Sequence, residues 1–129
     1  MSHGKFVTTI NCMDGRVQLP VIQYLLDKYG ADYVDSITEP GPDKILAFTD
    51  DMSIVENIKK RVDISVNQHR SHVITIAGHY DCAGNPVDEK THIEHILKSI
   101  ETIKTWNMKT EILGLYVDEN WHVHEVNFN

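Results

Sequence analysis

Two hydrophobic periods take turns along this chain. Phe6 to Asn11 (Phe-Val-Thr-Thr-Ile-Asn) is rich in β-branched residues and reads as a strand. Leu19, Ile22, Leu25, Leu26 and Tyr29 then recur at helical spacing, and Gly30 follows as a stop. Tyr33 to Thr38 predicts a second strand. Glu39-Pro40-Gly41-Pro42-Asp43 reads as a loop, because its two prolines break both regular structures. Ser53 and Glu56 have the spacing of a capping box, ahead of a helix with Val55, Ile58, Val62 and Val66 on one face. His72 to Ala77 is an apolar run that suits a strand buried on both faces. Thr91 and Glu94 repeat the capping-box spacing, and Ile93, Ile96, Leu97, Ile100 and Ile103 follow. Glu111 to Val117 predicts a fourth strand. Asp118-Glu119-Asn120 can turn the chain into a last short strand, His122 to Val126.

Strands that alternate with helices predict an α/β fold with a parallel sheet. The expectation is a single domain over residues 1–129. It has four mainly parallel strands, a short antiparallel C-terminal strand, and helices on both faces. Ligands of such sheets bind at the carboxyl ends of the strands. Cys12 falls just past the first predicted strand, and His79 and Cys82 fall just past the third. Both groups therefore reach one edge of the sheet.

Composition narrows the function classes. The net charge of −7, with only 12 Lys and Arg, disfavours nucleic acid and anionic membranes as partners. The one basic run, Lys59-Lys60-Arg61, is expected on a solvated helix face. No apolar stretch has the length of a membrane span, and Met1 to Lys5 does not read as a secretory leader, so a cytoplasmic location is expected. Two cysteines are too few for a disulfide framework. A single Cys12–Cys82 disulfide is the alternative to a shared metal.

Zinc takes thiolate and imidazole ligands, and three protein ligands with an open fourth position is its catalytic arrangement. Cys12, His79 and Cys82 supply that set. Cys12 also opens Cys12-Met13-Asp14-Gly15-Arg16, which places a carboxylate and a guanidinium two and four residues from the thiol. An Asp–Arg pair keeps the carboxylate ionised and fixes its direction. Such a carboxylate can accept a hydrogen bond from zinc-bound water or occupy the fourth zinc position itself.

The pair of motifs, Cys-x-Asp-x-Arg at 12–16 and His-x-x-Cys at 79–82, resembles the β-class carbonic anhydrases in identity and order. The resemblance runs nearly end to end, and Ile112 to Asp118 with His124-Glu125-Val126 is similar to that family's final hairpin. It implies one zinc ion per chain, held by Cys12, His79 and Cys82, with Asp14 and Arg16 as the catalytic dyad. It implies reversible hydration of carbon dioxide to bicarbonate, by a hydroxide formed from zinc's water. It also implies a homodimer or a dimer-based oligomer. The chain departs from the family in three places. It begins almost at the first strand, without the family's helical arm. Glu39 to Asp43 stands where the family carries Arg-Asn-Ala-Gly. Ala83-Gly84-Asn85-Pro86 follows the second motif where the family has glycine. These departures touch the pocket wall and the dimer contact rather than the ligands. They leave open hydrolysis of a related electrophile, carbonyl sulfide or carbon disulfide, and a non-catalytic, zinc-stabilised binding or regulatory domain.

The remaining candidates have ordinary expectations. His92, His95, His122 and His124 lack partners at ligand spacing and are expected to be mostly exposed, with one of them free to shuttle protons. Trp106 and Trp121 are expected in packing or interfaces. Met13 and Tyr80 are expected near the pocket.

Overall fold

The computed structural model describes residues 4–127. Its first strand, β1 (Phe6–Cys12), is followed by α1 (Gly15–Tyr29) and β2 (Tyr33–Glu39). Two helices, α2 (Pro42–Phe48) and α3 (Met52–Gln68), lead to β3 (Val73–His79). The chain then runs through α4 (Glu89–Lys104), β4 (Glu111–Val117) and β5 (Val123–Val126). The sheet order is β2-β1-β3-β4-β5, parallel except for the antiparallel β4–β5 pair. The α/β expectation of four parallel strands and one antiparallel strand holds.

The chain steps outward from β1 to β2, then crosses back to place β3 on the other side of β1. Crossover connections are right-handed, so this reversal sends helices to opposite faces. One face packs Ile10, Ile74, Ile76 and Tyr116 against α2, α3 and α4 through Leu46, Ile58, Val62, Ile96 and Ile103. The other packs Val7, Val73, Leu113 and Leu115 against α1 through Val17, Val21 and Leu25. The reversal point lies between β1 and β3, whose partners run from Thr8↔Ile74 to Ile10↔Ile76. Cys12 ends β1 and His79 ends β3, so both stand at the crevice that such a switch point creates.

Several details differ from the sequence expectations, each for a local reason. The Glu39–Asp43 loop shrinks to Pro40 and Gly41: Glu39 still pairs with Cys12 in the sheet, and Pro42 opens α2. Proline suits a first helical position, where its missing N–H has no partner to lose. The caps of α3 and α4 are not Ser53 and Thr91 but Asp51 and Asp88, whose carboxylates accept from the backbone N–H of Ser53 and Thr91. An aspartate closer to the helix start both caps and complements the helix dipole. In α1 the buried stripe is Val17, Val21 and Leu25, while Leu19 is 77% exposed. Arg61 leaves the solvated face and pairs with Glu39 at the end of β2.

Leu25 is fully buried, so Leu25→Ala should cost about 2–5 kcal/mol of stability. Leu19→Ala should stay within about 0.5 kcal/mol of the parent. Urea melts of the two variants check the phase of the helix. Equal losses would contradict it.

Candidate metal centre

Cys12, His79 and Cys82 arrive from three backbone positions, and their donor atoms all lie within 4.8 Å of one another. All three are buried, at 4%, 1% and 3% exposure. Both cysteines are free, with sulfurs 3.8 Å apart, so the disulfide alternative is not realised. The turn after β3 makes the cluster possible. Asp81 takes a left-handed conformation, φ 57°, which aspartate tolerates. The chain thereby reverses within two residues and brings Cys82 beneath the end of β1.

His79 is oriented by its own turn. Its Nδ1–H donates to the Tyr80 carbonyl at 2.7 Å, which leaves the Nε2 lone pair facing inward. That Nε2 is buried and has no hydrogen-bond partner among the described residues. An orphaned buried acceptor costs free energy unless something fills it. A cation between it and the two sulfurs could fill that role.

Without a metal, the three groups share protons among themselves. The Cys82 thiol donates to Cys12, and although burial opposes ionisation, His79 and the backbone N–H groups of Gly41 and Asp14 also hold the Cys12 pKa well below that of an ordinary thiol. Cys82 is pushed up, first by that hydrogen bond and then by burial. Burial opposes charging of His79, but the adjacent Cys12 thiolate, the Tyr80 carbonyl and Asp14 outweigh it, and its pKa is raised. The metal-free cluster thus holds one thiolate, Cys12, between the Cys82 thiol and the imidazole, and a metal ion binding there would release the remaining protons.

Asp14 and Arg16 sit on the rim. Asp14 caps α1: its Oδ1 accepts from the backbone N–H of Arg16 at 2.9 Å and from Arg16 Nε at 3.0 Å. Its Oδ2 accepts from Arg16 Nη2 at 2.7 Å, completing a two-pronged pair. This hydrogen bonding, above all, lowers the Asp14 pKa to about 2. Arg16 is held in turn by Asp81, through its carboxylate at 3.3 Å and its carbonyl at 3.2 Å. The guanidinium also lies 4.7 Å over the Trp121 ring. Trp121 itself adopts φ 61°, a costly conformation for an aromatic residue, and thereby sets its ring beneath Arg16.

A family model described as "Putative carbonic anhydrase" matches residues 2–127. The chain belongs to this family. Among solved structures it is similar to the wild-type β-carbonic anhydrase CafD of Aspergillus fumigatus. The identity is 14% and the TM-score 0.65, over 98% of this chain and 91% of that one. It is similar to the apo form of a carbon disulfide hydrolase at 12% identity and TM-score 0.62, covering 99% and 82% of the two chains. A tetrameric β-carbonic anhydrase of Sordaria macrospora aligns at 15% identity and TM-score 0.55, covering 99% and 83%. At such identities these likenesses establish the fold. A search among curated proteins finds no match.

The five residues singled out from the two motifs thus meet in one place. Sequence reasoning missed Asp81 and the stacking of Trp121 on Arg16, since neither carries a spacing signal. It misplaced His92 and His95, which are buried at 0% and 7% exposure rather than exposed. A polar residue inside the apolar stripe of α4 was the available sign: both histidines fall on the face that carries Ile96, Ile100 and Ile103. His122 and His124 are exposed as expected, and His124 pairs with Asp118 at 2.6 Å. Tyr80 and Cys82 line a cavity of about 420 Å³ with Tyr116 and the carboxylates of Asp81, Asp88, Glu89 and Glu119. Met13 is exposed beside the cluster, at 63%. Among the described residues, no helix is long and apolar enough to cross a membrane.

The Asp14 pKa of about 2 lies below its ordinary value of 3.8, so the stabilisation it reports is complete above pH 3.8 and is lost as pH falls through about 2. In metal-free protein, carboxyl NMR should give that low midpoint. Arg16→Gln should raise it toward the ordinary value. An unchanged midpoint in Arg16→Gln would contradict the pairing.

Proposed function

We propose that Cys12, His79 and Cys82 hold one zinc ion per chain and that the chain catalyses reversible hydration of carbon dioxide to bicarbonate. The observation that carries this reading is the buried three-donor cluster with an unpartnered imidazole nitrogen. Two thiolates and an imidazole are the donor types zinc prefers, and zinc–sulfur bonds of about 2.3 Å in a tetrahedron separate the sulfurs by about 3.8 Å. The observed separation is 3.8 Å. The donor chemistry and the separation of the two sulfurs both support zinc.

When bound, zinc supplies Lewis acidity and lowers the pKa of water in its open position toward about 7. The chain's own residues do the rest. Both Asp14 oxygens accept from Arg16, which supports an open fourth position rather than a carboxylate ligand. With a pKa of about 2, Asp14 holds no proton at working pH. Its role is to accept a hydrogen bond and so direct the attacking oxygen at the carbon of carbon dioxide. Arg16, clamped by Asp81 and Trp121, fixes the direction of that carboxylate. Carbon dioxide and water become bicarbonate and a proton, and the proton leaves to solvent because Asp14 is too weak a base to keep it.

A second reading keeps the site and changes the electrophile to carbonyl sulfide or carbon disulfide. The Pro40-Gly41-Pro42 wall favours it, together with the shared fold of the carbon disulfide hydrolase. The partner proposed for either reaction is a second copy of this chain, in a homodimer or dimer-based oligomer. The tetrameric family relative supports it. Free thiols this close suit a reducing compartment, the cytoplasm.

Stopped-flow carbon dioxide hydration on protein of confirmed zinc content is the test, at about pH 7.5 and about pH 9. Turnover above the buffer rate, rising with pH and abolished in Cys82→Ser, is expected. Zinc at one per chain with no turnover of carbon dioxide at either pH would overturn the hydration reading. Turnover of carbon disulfide by the same protein would then establish the second.

A further inference from the structure

The pocket chemistry uses none of α4, yet α4 turns two buried histidines toward the ligand-bearing segments. His92 Nδ1 donates to Asp43 Oδ2 at 2.6 Å, with both side chains essentially inaccessible to solvent. Asp43 is tied to α4 a second time, because the Ser99 hydroxyl is shared between its carbonyl at 2.9 Å and that of His95 at 2.8 Å. Asp43 stands just past the short loop that leaves Glu39, and Glu39 pairs with Cys12 in the sheet while its carbonyl accepts from the Met13 N–H at 3.1 Å. His92 thus sets, through Asp43, the loop that lies against Cys12.

The same hydrogen bond lies directly on β3. A Cβ built on Gly78 would come within 2.7 Å of Asp43 Oδ2 and 3.1 Å of His92 Nδ1. Gly78 immediately precedes His79, so the pair rests on the backbone that carries the imidazole. One turn along α4, His95 Nδ1 accepts from Asn85 Nδ2 at 2.9 Å. Asn85 is buried, and its backbone N–H donates to the Cys82 carbonyl at 3.2 Å. The two loops also meet backbone to backbone: a Cβ on Gly41 would lie 2.7 Å from the Gly84 carbonyl carbon, and one on Gly84 2.5 Å from that of Pro40.

We infer that His92 with Asp43, and His95 with Asn85, are positioning residues that set the backbone of all three metal-binding segments from α4. This inference rests on the zinc reading of the cluster. Stability alone explains the arrangement poorly. Asp43 Oδ1 and His92 Nε2 are buried with no partner among the described residues, so the pair costs desolvation that an apolar couple would avoid. Outer residues that orient a metal site matter through the metal, and changing them typically costs about 10–100-fold in affinity or activity.

The test loads the full chain with cobalt in place of zinc and follows the thiolate-to-cobalt absorption and the rate of metal loss to a chelator. His92→Phe keeps the volume and removes the donor. It should release cobalt about 10-fold faster or more and shift the thiolate band. His92→Asn, whose amide nitrogen stands where Nδ1 does, should restore most of both. Ile103→Val, on the same helix but away from the loops, should change neither while lowering stability. Should His92→Phe fail to fold, Ser99→Ala takes its place, with faster metal loss expected than in His92→Asn. A folded His92→Phe, or Ser99→Ala in its stead, with parental release rate and spectrum overturns the inference. A parent chain that takes up no cobalt or zinc overturns the zinc reading instead, so the two failures are distinct.

Discussion

Everything at the site depends on the parallel pairing of β1 with β3. Its register, Thr8↔Ile74 through Ile10↔Ile76, brings the carboxyl ends of two strands together that lie more than sixty residues apart in the chain. Cys12 and His79 are neighbours only because of that pairing, and the tight turn at Asp81 then returns Cys82 to them. A slip of one residue would send every side chain of β3 to the opposite face, Gly78 and His79 included. The core on both faces opposes such a slip, with Ile74 and Ile76 against the three-helix layer and Val73 against α1.

The fold was legible because its signals are local. Each parallel strand is a short β-branched or apolar run, and each long helix carries a periodic stripe. Proline and glycine punctuate the connections. Phase was harder. The α1 stripe reads equally well through Leu19, Ile22 and Leu26, and only the packing of β1 and β4 selects Val17, Val21 and Leu25. The helix α2 escaped because its seven residues begin at a proline that also signals a loop. The cluster of Cys12, His79 and Cys82 was legible because residue type and spacing single out donors that could hold a metal. The supporting shell was not. His92 and Asp43 stand 49 positions apart, and Asn85 and His95 acquire their meaning from a contact that no spacing rule encodes.

The departures from the family pattern take on a physical sense in this setting. Pro40-Gly41-Pro42 lets β2 pass directly into α2, and left-handed Gly41 lies against Gly84 with no room for a side chain on either. Glu39 has its own partner in Arg61, so the acidic group replacing a basic one is neutralised locally instead of facing the cluster uncompensated. The buried polar pair beneath this wall is costly to hold, which is where function rather than stability is expected to set the choice of residue.

The central claim is that two sulfurs and one nitrogen of this chain meet on one metal ion. X-ray absorption at the zinc edge of metal-loaded protein tests it most directly. The account predicts two sulfur scatterers at about 2.3 Å and two lighter ones at about 2.0–2.1 Å, one of them with the outer-shell pattern of imidazole. A zinc shell of nitrogen and oxygen alone, or of four sulfurs gathered from several chains, would contradict it.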